Sequence, residues 1–253
     1  MRTICLTFES WYSKYEWYEY SNKNKYLEIP MLTDRSPCSD PFFDIYSNNK
    51  RPLLSGLCRA KKHYTIGDRY VYITKINKRI CKEKGFIKNP SEIHYCLVAS
   101  LIVKKTFDSH ELAAESFKKS KFTVHPEETN HPPNLITSDL PECAISKDYC
   151  IVVSKAKKGK QQLAPDKATI EDWKYQYHLY DNRKKKKNLR VAECEYEILK
   201  NGKYALIQNL NKKHIITESE LQFFYEKSDS PKMNTMGRKI NESKVQDLLT
   251  NFF

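Results

Sequence analysis

The sequence predicts an α+β fold: many strands and few helices in mixed order, built on a small, strongly curved sheet or barrel with flanking helices. Three observations carry that expectation. Runs such as "RTICLTFES" and "DRYVYITKI" alternate apolar with more polar residues at the two-residue period of a strand. Another run, "IHYCLVASLIVKKTF", is apolar almost without a break and has the length and Val/Ile content of a central strand. Helical signals are confined to a few short stretches that carry their own caps.

In chain order, Ile4, Leu6 and Phe8 mark a first strand. The aromatic run "WYSKYEWYEY" after it lacks a clean period; it reads as rings covering the edge of the core, with base stacking as the other reading. A loop follows, "TDRSPCSDPFFDIYSNNKRP", punctuated by Pro37, Pro41 and Pro52. Gly67 and Asp68 then turn the chain into a strand with Val71 and Ile73 on one face and Tyr70, Tyr72 and Thr74 on the other. After the long apolar run, Asp108 and Glu111 have capping-box spacing ahead of Leu112, Ala113 and Phe117, which predicts a helix.

Residues 123–147 read as a long loop, and "KDYCIVVSK" resumes as a strand. The stretch "SKAKKGKQQLAPDK" is basic and poor in core residues, a linker or an exposed basic arm. Beyond it, Ile170, Trp173, Tyr177 and Tyr180 lie at helical spacings with Thr169 as N-cap. Asn201-Gly202 joins two alternating runs, the strongest short hairpin signal in the chain. Thr217 and Glu220 form another capping box, and Val245, Leu248, Leu249 and Phe252 mark an amphipathic C-terminal helix. The expected division is a first domain over 1–155, a basic linker or helix over 156–190, and a hairpin-and-helix extension over 191–253.

A chain of 253 residues is long enough to bury a sizeable core. Its 44 Lys and Arg against 31 Asp and Glu leave a formal charge of +13, which favours an acidic partner, nucleic acid first among them. Four basic clusters, "RAKKHY", "KINKRICKEK", "SKAKKGK" and "NRKKKKNLR", lie beside aromatic-bearing segments. Lysines that neutralise phosphates, with rings on which a base can stack, are the physical recipe for nucleic-acid binding. No apolar run reaches membrane-spanning length and no secretory leader pattern opens the chain, so a cytoplasmic protein with no membrane contact is expected. The eight cysteines never form a C-x-x-C pair, and reduced core thiols rather than zinc ligands or disulfides are the expectation.

Enzyme signatures are sparse. The six glycines form neither G-x-G-x-x-G nor a P-loop, and H-E-x-x-H, G-x-S-x-G and the zinc-deaminase pattern are absent. No cofactor is expected. Two weaker constellations stand as catalytic candidates. His125 and His131, with Glu127 and Glu128 between them, have the chemistry of a metal site or an acid–base pair, or are simply a solvated loop. Asp68 is a catalytic carboxylate on one reading and a turn-capping side chain on the other.

Four segments in this order, "SDPFFDIY", "LLSGLCRAKKHYTIGDRYVYITKI", "HYCLVASLIVKKTFDSHE" and "AISKDYCIVVSKA", resemble the nucleotide modification associated domain family of the second type. The resemblance spans roughly residues 37–155. It differs after the G-D strand, where the family's Gly-rich step is replaced by Lys75 to Arg79. The family is similar to PUA-like barrels of the EVE and ASCH kind, so the resemblance implies a PUA-like domain over 1–155 that binds DNA, RNA or a modified nucleotide, and a phage or bacterial source.

The matches that carry over are Pro41 and Phe42, Cys58 with Lys61 and Lys62, Gly67 and Asp68, and Ser146 to Tyr149. On that footing Phe42, or Tyr70 or Tyr72 of the strand, is the candidate for stacking a flipped base, which needs an apolar face, and Asp68 or Ser146 for reading its edge. Lys61, Lys62 and Arg69 are assigned to flanking phosphates, and the basic tail Lys184, Lys185, Lys186 and Lys187 adds to that charge. The leading expectation is a nucleic-acid-binding protein that recognises a modified base. The alternatives are an enzyme processing modified nucleotides or nucleic acid, and a module of bacterial defence against phage that docks a protein partner through its C-terminal region.

Overall fold

The computed structural model describes residues 1–8, 41–43, 51–55, 64–76, 78–124, 127–130, 132, 135, 152–156, 159–163, 169, 171, 190–199, 211–226 and 237–252. It is an α+β protein with a mostly open sheet of seven strands and a few short helices. The strands are β1 (Thr3–Phe8), β2 (Leu53–Leu54), β3 (Arg69–Lys75), β4 (His94–Phe107), β5 (Phe122–Val124), β6 (Glu127–Thr129), β7 (Val152–Ala156), β8 (Gly159–Leu163), β9 (Val191–Tyr196), β10 (Ile215–Thr217) and β11 (Arg238–Lys239). The helices are α1 (Lys78–Glu83), α2 (His110–Phe117), α3 (Glu218–Phe223) and α4 (Val245–Phe252).

The main sheet runs β11-β1-β3-β4-β9-β2, with β10 paired to the first residues of β4. β1 lies parallel to β3, Thr3 opposite Arg69 through Phe8 opposite Thr74. β3 lies antiparallel to β4, with a register shift between Tyr72 and Ile73. The two end strands are two residues each, too short to offer a long edge for another chain to pair with.

Contacts divide the chain into two compact units: Met1–Leu32 with Thr65–Lys104 and Cys194–Phe253, and Thr33–Tyr64 with Lys105–Glu193. Cys194–Phe253 shares a unit with the N-terminal strand. Local contacts explain this: Ile4 and Cys5 of β1 pair with Lys239 and Arg238 of β11, and Glu242 accepts the Thr3 amide at 2.8 Å. In this first unit, Cys5, Val71, Ile73, Leu97, Ile216 and Leu248 belong to one buried apolar cluster. In the second, β2 pairs with the start of β9, Leu53 opposite Glu193, and Phe117 of α2 is fully buried.

Several local expectations meet the structure directly. The capping box at α3 is formed in both directions, Thr217 Oγ1 accepting from Glu220 N at 3.3 Å and Glu220 accepting from Thr217 N at 2.8 Å. α4 buries Val245, Leu248 and Leu249 at the helical spacing read from the sequence. The N-cap of α2 is Ser109 rather than Asp108, its Oγ accepting from Leu112 N at 3.2 Å, while the exposed Asp108 meets Arg190 at 3.1 Å. Gly159–Leu163, assigned to a linker by composition, is a strand hairpinned to β7. Within the expected loop 123–147, Phe122–Val124 pairs with Glu127–Thr129. The aromatic run 11–20, the Asn201-Gly202 turn and, apart from the helical Glu171, the segment 170–180 lie outside the described residues.

Candidate functional site

The "HYTIGDRYVYITKI" stretch builds its site from a turn. Gly67 has φ +87, a left-handed conformation open to glycine, and this lets Asp68 N close on Thr65 O at 3.0 Å. Gly67 N and Val103 N then bond to Val103 O and Asp68 O, at 2.9 Å each, locking the turn onto β4. Asp68 is 3% exposed. Its Oδ1 accepts from Arg2 N at 3.1 Å and its Oδ2 from Arg2 Nε at 3.0 Å and from Arg2 Nη2, which also reaches Thr65 Oγ1 at 2.9 Å.

Arg69, the next residue, faces a second carboxylate. Its Nε and Nη2 each donate to Glu197 at 2.8 Å, a bidentate fork, and Ser100 Oγ donates to the same carboxylate at 2.6 Å. Arg69 Nη1 reaches Thr3 Oγ1 at 3.3 Å. The start of β3 is thus a partly buried lattice of two Arg–carboxylate pairs that ties together β1, β3, β4 and Glu197, the residue after β9. It has the chemistry of a rivet: both Asp68 oxygens are occupied, and the Arg69 fork is spent on Glu197.

Burial alone would raise the Glu197 carboxyl, but the Arg69 and Ser100 hydrogen bonds outweigh it and hold the group below its ordinary value of 4.5. Since the folded state binds this proton more weakly than the unfolded chain, the network stabilises fully above 4.5 and fades as pH falls through the lower folded value. Urea midpoints at neutral pH and in acid are expected to show Glu197→Gln losing less stability on acidification than the unaltered chain. Equal losses in both would mean that this carboxylate carries none of the acid sensitivity. Tyr70, beside the cluster, has its phenol raised by burial and then by the Asp68 charge, so it stays neutral.

Phe42, Tyr70 and Tyr72, the rings assigned to base stacking, are 9%, 0% and 3% exposed and present no face at the surface. For Tyr70 and Tyr72 the reason is that β3 is covered on both sides, every residue from Arg69 to Thr74 being buried; Phe42, outside β3, is held by its backbone bridge to Leu53 at 3.0 and 2.8 Å. Lys61, Lys62, His125, His131, Ser146 and Lys184 to Lys187 lie outside the described residues. The described histidines bond to backbone: His94 Nε2 accepts from Lys88 N at 3.1 Å, His214 Nδ1 accepts from Asn211 N at 3.3 Å, and His110 Nε2 lies 3.0 Å from Ser55 O. Among the described residues no three His, Cys, Asp or Glu side chains gather as a metal site, and no helix is long and apolar enough to cross a membrane.

The exposed chemistry lies just beyond the buried end of β3. Lys75 ends that strand, Lys78 and Lys82 share one face of α1 at i, i+4, and Lys84 follows in the turn; all four are exposed. Among the described residues none of them meets a carboxylate at ion-pair distance. Lys78 Nζ donates to Pro90 O at 3.0 Å, fixing its direction along the loop after α1. Helix α1, six residues long, is too short for periodicity to reveal it. No protein-family model matches the chain, and neither a curated protein nor a solved structure matches it.

Proposed function

We propose that this protein binds nucleic acid, with Lys75, Lys78, Lys82 and Lys84 contacting phosphates. The observation that carries this reading is the set of four exposed ammonium groups without carboxylate partners among the described residues, in a chain of formal charge +13. Surface lysines opposite carboxylates are largely neutralised, as Lys104 is by Glu195 at 2.6 Å and Lys118 by Glu115 at 2.6 Å. Unpaired ones keep a field that attracts polyanions and release counterions when a phosphate replaces them.

The finer reading is a PUA-like domain that takes up a modified base; the resemblance over residues 37–155 supports it. It calls for a base pocket other than the surfaces of Tyr70 and Tyr72, since those rings are interior.

Fluorescence anisotropy with matched DNA and RNA oligonucleotides at two salt concentrations tests both levels. Replacing the four lysines by Gln is expected to weaken binding at least tenfold and to flatten the log–log salt slope by about 3, because each phosphate contact on a single strand contributes about 0.7. The loss should be the same for every sequence, since phosphate contacts position without reading. An unchanged slope removes these lysines from the interface. A methylated cytosine placed in one oligonucleotide tests base reading, and equal affinity with and without it counts against that level alone.

A further inference from the structure

The tyrosine rings of β3 are buried, yet a ring stands in the open elsewhere in the same unit. Phe223, the last residue of α3, is 61% exposed. Met1, Ile66, Leu112 and Ile198 are the other large apolar side chains so exposed among the described residues, and none of them is aromatic.

Phe223 is mounted rather than dangling. Lys244 Nζ lies 3.6 Å from its ring centroid and also donates to Phe223 O at 2.7 Å, so one ammonium holds both the ring and the last helical carbonyl. On another side the ring meets Phe224 edge-on, at 5.4 Å and 87°, and Phe224 is a core residue at 5% exposure. A ring fixed in this way loses little freedom when a ligand lies on it.

Its surroundings connect to the lysine surface through short polar contacts. Glu220 of α3 accepts from Lys88 Nζ at 3.0 Å, and Ser219 N donates to Glu92 at 3.1 Å, which pins α3 to the loop over 88–92. The same loop is held to α1 by Lys78 Nζ on Pro90 O at 3.0 Å. A single helix of six residues is about 9 Å long, so ring and lysines stand on neighbouring short elements of one unit.

Resting on the nucleic-acid reading above, we infer that Phe223 is a stacking platform for an unpaired base, with Lys244 holding the ring. The ligand is then single-stranded nucleic acid. Phosphate contacts alone treat single and double strands alike in kind, whereas an open ring adds affinity only for a base whose face is free.

The test uses the full chain, a labelled single-stranded oligothymidylate, an abasic strand of the same length and charge, and a duplex. Phe223→Ala is expected to weaken binding to the oligothymidylate about tenfold, with an unchanged salt slope and unchanged affinity for the abasic strand and duplex. Phe223→Trp should restore it and Phe223→Leu should not, which separates stacking from a merely apolar contact. Undiminished oligothymidylate binding by Phe223→Ala, or an equal loss on the abasic strand, overturns the inference while leaving the lysine contacts standing. A wild-type chain that binds none of the three overturns both. Phe223 lies outside the buried core, so circular dichroism is expected to show every variant folded.

Discussion

Replacing Tyr72 by Ala is expected to destabilise the protein by about 3–4 kcal/mol, the cost of deleting a large buried ring and leaving a cavity. Tyr72 is 3% exposed in the middle of β3, opposite Leu6 on one side and Ala99 on the other. Urea unfolding should show a lower midpoint with the slope unchanged. A variant as stable as the parent would show that the ring lies outside the core. This expectation bears on function too, because a binding assay on Tyr72→Ala alone confuses a lost contact with a lost fold, which Phe223→Ala does not.

A second large effect is expected at Gly237, which leads into β11. Its φ is +78, and a Cβ there would meet the Leu6 side chain, Ile4 Cγ2 at 3.0 Å and the backbone oxygen of Cys5 at 3.2 Å. Alanine therefore combines left-handed strain with overpacking against β1, together about 3 kcal/mol. Gly67 is the internal comparison. Its φ is +87, but a Cβ there meets nothing within 4 Å, so Gly67→Ala should cost only the backbone strain, about 1 kcal/mol. If the two alanine variants unfold at the same denaturant concentration, the close approach of Gly237 to β1 contributes nothing.

Local rules were legible where a residue's partner is near in sequence. The strand periods at Ile4–Phe8, the length of the apolar run ending at Phe107, the Thr217–Glu220 box and the Val245–Leu249 face all follow from spacing alone. The cap of α2 falls one residue later than the capping-box spacing implies, because Asp108 and Ser109 are both good caps and spacing does not choose between them. What spacing could not convey was which alternating residues face water. In β3 the aromatic and aliphatic sets are both apolar enough to bury, so alternation marked two faces without saying that both are covered. The ion pairs of Asp68 and Arg69 were not legible for a different reason: Arg2 lies 66 residues from the first and Glu197 lies 128 from the second. Among Gln222-Phe223-Phe224-Tyr225, likewise, only tertiary packing decides which ring is left outside.

The pairing of β1 has a consequence for the order in which the protein is made. One edge of β1 finds β3 within its first 75 residues, but the other waits for Arg238 and Lys239, and the Thr3 amide waits for Glu242, 239 positions later. At about 5–20 residues per second, a ribosome needs on the order of tens of seconds to supply them. During that interval a strand carrying Ile4, Cys5 and Leu6 has an unfilled edge, the kind of surface that chaperones hold and that neighbouring nascent chains join. The yield of native protein should therefore depend on how quickly residues 76–242 are translated, and slow codons near Gly237 would be felt at β1.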